Sequence, residues 1–343
     1  MKLEDIARLA NVSKSAASLA LNGKPGVSEE TRATVLRIAK EHNYVPLKKI
    51  KKKYINPSNS TNYVIRFVGC KATDLIEDNY HNMPFFNELL GYFTNELKNY
   101  PFSLLISSID SNSIREDLKR IEDEQPSDGI FLLGTNLTLQ QIEEVQKIQK
   151  NLVVLDTCAP QSNLDFISIN NYQGAYQAAE YLIKKGHHKV GYAESKTRIY
   201  NFSERKRGFF DAMNSHGISS KDVNIYQMHG MKIETDIENF TDLQSDSSLP
   251  TAVFCENDYI AISLIRTLSA LKITVPEDIS VIGFDNIPES KVITPELTTI
   301  GVNKQKIAQE AMRKMLANLE RQEEDYGMHS FINTNLIERD SVV

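Results

Sequence analysis

Apolar side chains in the first 46 residues recur with a helical period. Leu3, Ile6, Ala7 and Ala10 fall at i, i+3, i+4 and i+7, one face of a helix. Asn11-Val12-Ser13 breaks the pattern, and Ser13 is placed to cap a second helix by accepting from a free amide of its first turn. From Lys14 to Asn22, Ala17, Ala20 and Leu21 share an inner face, while Lys14, Ser15, Ser18, Leu19 and Asn22 share the outer one. Gly23-Lys24-Pro25-Gly26 stops that helix. Ser28 caps a third, with Glu29 and Glu30 at the positive end of its dipole. Val35, Ile38 and Ala39 face inward, and Tyr44-Val45-Pro46 ends it.

Beyond residue 62 the pattern changes. Short β-rich runs (63–69, 102–107, 129–133, 152–155, 166–169, 189–193, 251–255 and 279–284) alternate with helical stretches (85–99, 114–124, 139–149, 173–185, 205–216, 259–271 and 304–322). Such alternation predicts parallel sheets covered on both faces by helices. The 281 residues from 63 to 343 exceed one simple sheet and suit two similar lobes. Ligands of such folds sit beyond the carboxyl ends of the strands. Between the two regions, 47–62 is a basic linker. Leu47, Ile50 and Tyr54 are spaced for a short amphipathic helix, and Asn56-Pro57-Ser58-Asn59-Ser60-Thr61-Asn62 is a polar break.

Charge divides at the same place. Residues 1–53 hold 12 Lys/Arg and 5 Asp/Glu, or +7; the whole chain is −6, so the rest carries −13. A basic head on an acidic body is expected where only the head meets a polyanion. Lys48, Lys49, Lys51, Lys52 and Lys53 attract phosphates without reading sequence. Three short helices with a tight first turn form either a structural bundle or a helix-turn-helix module whose second helix enters a major groove. Three cysteines, Cys70, Cys158 and Cys255, are too few and too far apart for a disulfide framework or a CxxC metal pair. No apolar run of 18 residues and no secretory leader pattern occur, so a cytoplasmic protein without a membrane span is expected.

The string from Leu3 to Arg32, together with Tyr44-Val45-Pro46, resembles the head of the LacI/GalR family of bacterial transcription regulators. That resemblance implies that the helix from Lys14 reads operator DNA. Lys14 and Ser15 match the first base-reading pair, Ser13 a phosphate contact and Asn22 the closing Asn; Ser18 and Lys24 complete the expected DNA face. The family often carries Arg where Leu19 stands. Arg can bond guanine O6 and N7, whereas Leu can only touch a surface such as a thymine methyl, so a half-site lacking that guanine is expected. Family members also fold a hinge helix that wedges a Leu into the minor groove. Here that position is Lys53, so the wedge is absent or shifted to Ile50, Tyr54 or Ile55.

The body resembles the family's effector domain, which has the two-lobed fold of type I periplasmic sugar-binding proteins. The resemblance runs through Asn82-Met-Pro-Phe-Phe86, Asp128-Gly-Ile130, Val153-Val-Leu-Asp156, Arg205-Lys-Arg-Gly-Phe209, Glu256-Asn-Asp258, Val275 to Asp285, Thr294 to Ile300 and Leu336-Ile-Glu-Arg-Asp340, in family order. The expected organisation is a helix-turn-helix head (1–46), a hinge (47–62) and an effector and dimerisation domain (63–343). Its N-lobe would be about 63–164 plus 289–327, and its C-lobe about 165–288 plus 328–343, with crossings near 162–166, 286–290 and 325–330.

Several of these motifs end strands or start helices and so face a cleft. Phe86 offers a ring for an aliphatic sugar face. Asp156, Asn257 and Asp285 can bond hydroxyls, and Arg205 supplies a forked donor; Thr135 follows another strand. The blander roles are core for Phe86 and structural caps for Asp156 and Asp285. Asp258 reads as a helix cap or interface residue. Thr157 stands where many relatives have Arg, which disfavours an anionic ligand. No GxGxxG, GK[ST] or GxSxG motif occurs in a suitable context, so neither an enzyme nor a cofactor is expected. The expectation is a homodimeric repressor that binds double-stranded operator DNA under control of a small effector, a sugar or sugar derivative. The alternatives are control by a nucleoside or a protein co-regulator, or a sugar receptor without a DNA role.

Overall fold

The computed structural model describes residues 3–21, 26–41, 62–71, 83–237, 240, 249–320 and 326–343. Two compact units result, 1–62 and 63–343. The first holds α1 (Leu3–Leu9), α2 (Lys14–Leu21) and α3 (Glu29–Glu41). Their core is Ile6, Ala7, Ala17, Ala20, Leu21, Val35, Ile38 and Ala39, with the alanines keeping the helices close. Both serine caps form: the Ala16 amide donates to Ser13 Oγ at 3.1 Å and the Thr31 amide to Ser28 Oγ at 3.2 Å.

In the larger unit, β1 (Tyr63–Lys71), α4 (Pro84–Glu96), β2 (Phe102–Asp110), α5 (Ile114–Glu124), β3 (Gly129–Leu133), α6 (Leu139–Ile148), β4 (Leu152–Leu155) and β5 (Asp165–Ile169) come first. Then follow α7 (Asn171–Lys184), β6 (Val190–Ser195), α8 (Tyr200–Ser215), β7 (Asn224–Met228), β8 (Ala252–Cys255), α9 (Asp258–Ala270), β9 (Ser280–Asp285), β10 (Thr298–Gly301), α10 (Lys304–Glu320), β11 (His329–Ile332) and β12 (Asn335–Ile337). The strands form two sheets of six, β11-β5-β4-β3-β1-β2 and β12-β10-β9-β8-β6-β7. Among the described residues only the β10–β12 pair is antiparallel.

Strand parity explains the layering. Phe67, Phe131, Leu133, Val153 and Leu155 join Leu89, Phe93, Met312 and Met315 of α4 and α10 on one face of the first sheet. Their sequence neighbours Val68, Ile130, Leu132 and Val154 join Ile114, Leu118, Ile142 and Val145 of α5 and α6 on the other. In the second sheet α8 packs on α7, and a Cβ on Gly208 would run into the Tyr172 backbone carbonyl, so the close approach needs glycine there.

Strand pairing relocates the lobe crossings. β5 pairs with β4 and β11, so the first crossing follows Ile169 instead of falling at 162–166. β10 pairs with β9 and β12, which carries the second crossing past Gly301 instead of 286–290. β11 pairs with β5 and β12 with β10, so the third lies at 333–334 instead of 325–330. The N-lobe is therefore 63–169 with 304–332, and the C-lobe 171–301 with 335–343. Residues 286–290 instead follow the end of β9 within the C-lobe. The crossings are one- or two-residue links, Asn170, Val302-Asn303 and Asn333-Thr334, too short for periodicity to mark them.

Candidate functional site

On the head, Lys14 and Ser15 are exposed on the outer face of α2, and Ser18 and Leu19 are half-buried. Ser13 is exposed while its hydroxyl caps the helix. Gly26 has φ +115°, and a Cβ there would sit 3.3 Å from Leu19 Cδ1. Asn22, Lys24, Lys48, Lys49, Ile50, Lys51, Lys52, Lys53 and Tyr54 lie outside the described residues.

A cavity in the large unit draws on both lobes. Phe86, Thr135, Asp156, Arg205, Asn257 and Asp285, picked from the sequence, all line it, with Phe85, Ile199, Asn201, Phe202, Met231 and Tyr259. Asp156 and Asp285 each end a central strand with a left-handed backbone, φ +58° and +108°. For residues other than glycine this conformation is strained, and it turns each carboxylate off its sheet. Thr135 Oγ1 donates to Asp156 Oδ2 at 2.5 Å. From the other lobe, Asn201 Nδ2 donates to Asp156 Oδ1 and to its backbone carbonyl, both at 3.0 Å. Burial pushes the Asp156 carboxyl up to about 6, against the Thr135 bond and the Arg205 charge.

Arg205 lies one turn beyond Asn201 on α8 and is fully engaged. Nε donates to Asn171 Oδ1 at 2.8 Å, Nη1 to the Glu256 carbonyl at 2.5 Å and Nη2 to Asp285 Oδ1 at 3.0 Å. Its guanidinium lies 3.7 Å from the Phe284 ring centroid. Asp285 is held raised by burial despite Arg205 and Lys304. Lys304 Nζ spans the lobes, bonding the Asp285 carbonyl at 3.0 Å and Glu88 Oε2 at 3.0 Å. Asn257 is the cap of α9, accepting from the Ile260 amide at 2.9 Å and donating to the Gly230 carbonyl at 2.6 Å. Asp258 is therefore not the cap. It is buried and accepts from Thr299 Oγ1 and the Ile287 amide, a structural post.

Phe85 and Phe86 meet edge to face, centroids 5.3 Å apart, and form the apolar wall. The cavity volume is about 20 Å³, room for about one water, whereas ligand pockets run to about 300–1,000 Å³. A sugar-sized ligand thus requires the lobes to part. Asn201 and Phe202 precede Arg205 by four and three residues, so the helical period identifies them once Arg205 is chosen. Tyr259 stands two residues after Asn257, and Met231 lies on a loop that no periodicity marks. Among the described residues no group of three or more His, Cys, Asp or Glu could hold a metal. His187 bridges Thr251 Oγ1 and the Val343 carbonyl, a structural corner.

Residues 2–46 match the family of bacterial regulatory proteins of the lacI type, and 179–342 match a periplasmic binding protein-like domain. A probable HTH-type transcriptional repressor, ExuR, of Bacillus subtilis (strain 168) is 30% identical over 99% of this chain and 98% of its own. The chain belongs to the LacI family. Among solved structures, a CelR–cellobiose complex is 22% identical with TM-score 0.67, covering 99% of both chains. A lac repressor dimer bound to operator and the anti-inducer ONPF is 18% identical with TM-score 0.71, covering 100% of this chain and 99% of that one. At these identities the two structures establish the shared fold: a LacI-type head and a two-lobed, parallel-sheet body. No helix among the described residues is long and apolar enough to cross a membrane.

Proposed function

We propose that this chain is a LacI-family transcriptional repressor, not an enzyme, acting in the cytoplasm as a homodimer on paired operator half-sites. One recognition helix reads too few bases to specify a site, and pairing answers that. The cleft between the lobes holds the effector, an uncharged carbohydrate or related polyol. The observation that carries this reading is the convergence of Asp156 and Thr135 from one lobe with Asn201, Arg205 and Asp285 from the other, walled by Phe85, Phe86 and Phe202. An aromatic wall, two carboxylates and amides suit hydroxyls. Among the described lining residues the guanidinium of Arg205 is already engaged, which disfavours an acid group. The binding of cellobiose by a protein of this fold accords with that chemistry.

Control follows from competition. Asn201 and Lys304 bond across the lobes, and an effector that takes their partners shifts the relative position of the lobes. The shift is as large as the difference in effector affinity between the two states. Two measurements test this. Fluorescence anisotropy with a palindrome from the chain's own promoter region should show tighter binding than random duplex, weakening steeply with salt. A thermal-shift screen of sugars should yield a stabilising ligand whose effect Asn201→Ala and Asp156→Asn abolish. Equal affinity for both duplexes, or a ligand shift indifferent to both substitutions, would overturn the assignment.

A further inference from the structure

The first turn of α4 is an uncapped helix start inside the cleft. Met83, the cap residue, makes no side-chain bond to it, and Pro84 at the first position has no N–H, so Phe85 bears the first free amide of a 13-residue helix. Across the lobe boundary stands Tyr259, only 5% exposed, whose hydroxyl proton finds no acceptor among the described residues. The Phe85 amide faces the Tyr259 oxygen, and both residues line the cavity. Burial drives the phenol far above its ordinary range, so it stays a proton donor. Nothing at this corner accepts its proton. Buried polar groups in native proteins are seldom left so, and the exceptions call for an explanation.

We propose that Tyr259 Oη, its oxygen facing the Phe85 amide, offers its proton to one uncharged acceptor oxygen of the effector, such as a hydroxyl, ether or carbonyl, and rejects carboxylate or phosphate. This rests on the cleft being the effector site. The exclusion of anions follows from the neighbourhood. Asp285, Glu289 and Asp258 all act on Tyr259 electrostatically. Lys304 lies 5.0 Å from the Phe85 ring centroid, but Glu88 and the Asp285 carbonyl hold it. A second anion there would meet carboxylates with no free counter-charge, whereas a neutral oxygen takes the hydroxyl proton without that cost.

The test is Tyr259→Phe in the full chain, read in two ways. Without ligand, removing an orphan hydroxyl should leave the melting temperature unchanged or raise it. A lower one means the hydroxyl is a structural bond and overturns the proposal. With D-glucose, D-galactose, D-ribose and cellobiose as probes, against D-glucuronate, D-galacturonate and glucose 6-phosphate, neutral sugars should bind and Tyr259→Phe should weaken them about tenfold. A charged sugar that binds tighter than its neutral parent overturns the proposal. Binding lost in Asn201→Ala yet unchanged in Tyr259→Phe sinks the subsite and leaves the cleft standing. Binding unaffected by Asn201→Ala and Asp156→Asn sinks the cleft assignment itself. If none of the probes binds, the ligand-free measurement alone decides.

Discussion

Replacing Asp156 by Asn should make the free protein more stable at neutral pH while destroying effector affinity. The carboxyl titrates near 3.8 in an unfolded chain and near 6 here, with burial the first cause. That difference represents ~3 kcal/mol of unfavourable burial above pH 6. The amide carries no charge to desolvate, and its oxygen can still accept from Thr135. Its NH2, however, meets the Asn201 Nδ2 that now bonds the carboxylate, which returns ~1 kcal/mol. A net gain of ~2 kcal/mol at pH 7.5 remains, a rise of a few degrees in melting temperature. The pH dependence carries the sharper test. Because the folded-state value is raised, the folded protein takes up this proton as pH falls below about 6, while the unfolded chain takes it up only near 3.8. Wild-type stability therefore gains from Asp156 on acidification from pH 6 to 4, and Asp156→Asn does not. The raised carboxyls Asp258 and Glu256 contribute to both proteins alike, while Asp285, whose charge helps raise Asp156, is eased in the variant. Melting curves at half-unit steps between pH 4 and 7.5 should show the mutant's advantage shrinking to nothing at the acid end. A variant less stable at pH 7.5, or an advantage constant across the series, would refute the reasoning.

Lys304→Met removes a buried cation and strands Glu88, which is about a third exposed and can partly rehydrate. A loss of ~1–3 kcal/mol is expected, seen as a lower melting temperature and faster proteolysis of the large unit. Gly208→Ala sets a methyl against the Tyr172 carbonyl and forces α7 and α8 apart. A cost of ~1–3 kcal/mol should come with weaker ligand binding, because α8 carries Asn201 and Arg205. Leu19→Arg should enrich guanine at one position of each half-site in selection from random duplexes, by roughly ten- to hundredfold. An unaltered preference would mean that residue 19 does not meet a base edge.

Much of this was legible in the residues. The inner positions Ala17, Ala20 and Leu21 of α2 are those the helical period selects, because a three-helix unit has little other choice of core. The six cleft residues chosen from strand ends and helix starts meet at one cavity, since parallel strands deliver their carboxyl ends to one side. What escaped notice has physical reasons. β7 (Asn224–Met228) is a half-exposed edge strand and lacks the apolar run that marks the central ones. The crossings fall elsewhere than expected because each is a link of one or two residues, and only the pairing of its flanking strands shows which sheet each side joins. Asn257 lines the cavity as chosen, and its amide also caps α9 and bonds Gly230, a second duty that only a folded backbone reveals. Tyr259 was passed over because a tyrosine inside an apolar helical run reads as core; its orphan hydroxyl exists only in three dimensions.

The three crossings have a practical corollary for anyone dissecting the protein. Neither half of the body is encoded by a continuous stretch: α10 and β11 return to the first half after the other is nearly complete, and β12 returns to the second. A gene truncated after residue 301 would make an amino-terminal half missing the helix that covers α4 and the edge strand beside β5. Isolated halves therefore call for rearranged reading frames that join 63–169 directly to 304–332 and 171–301 to 335–343. During synthesis the first half cannot finish its own sheet until β11, ending at Ile332, has left the ribosome.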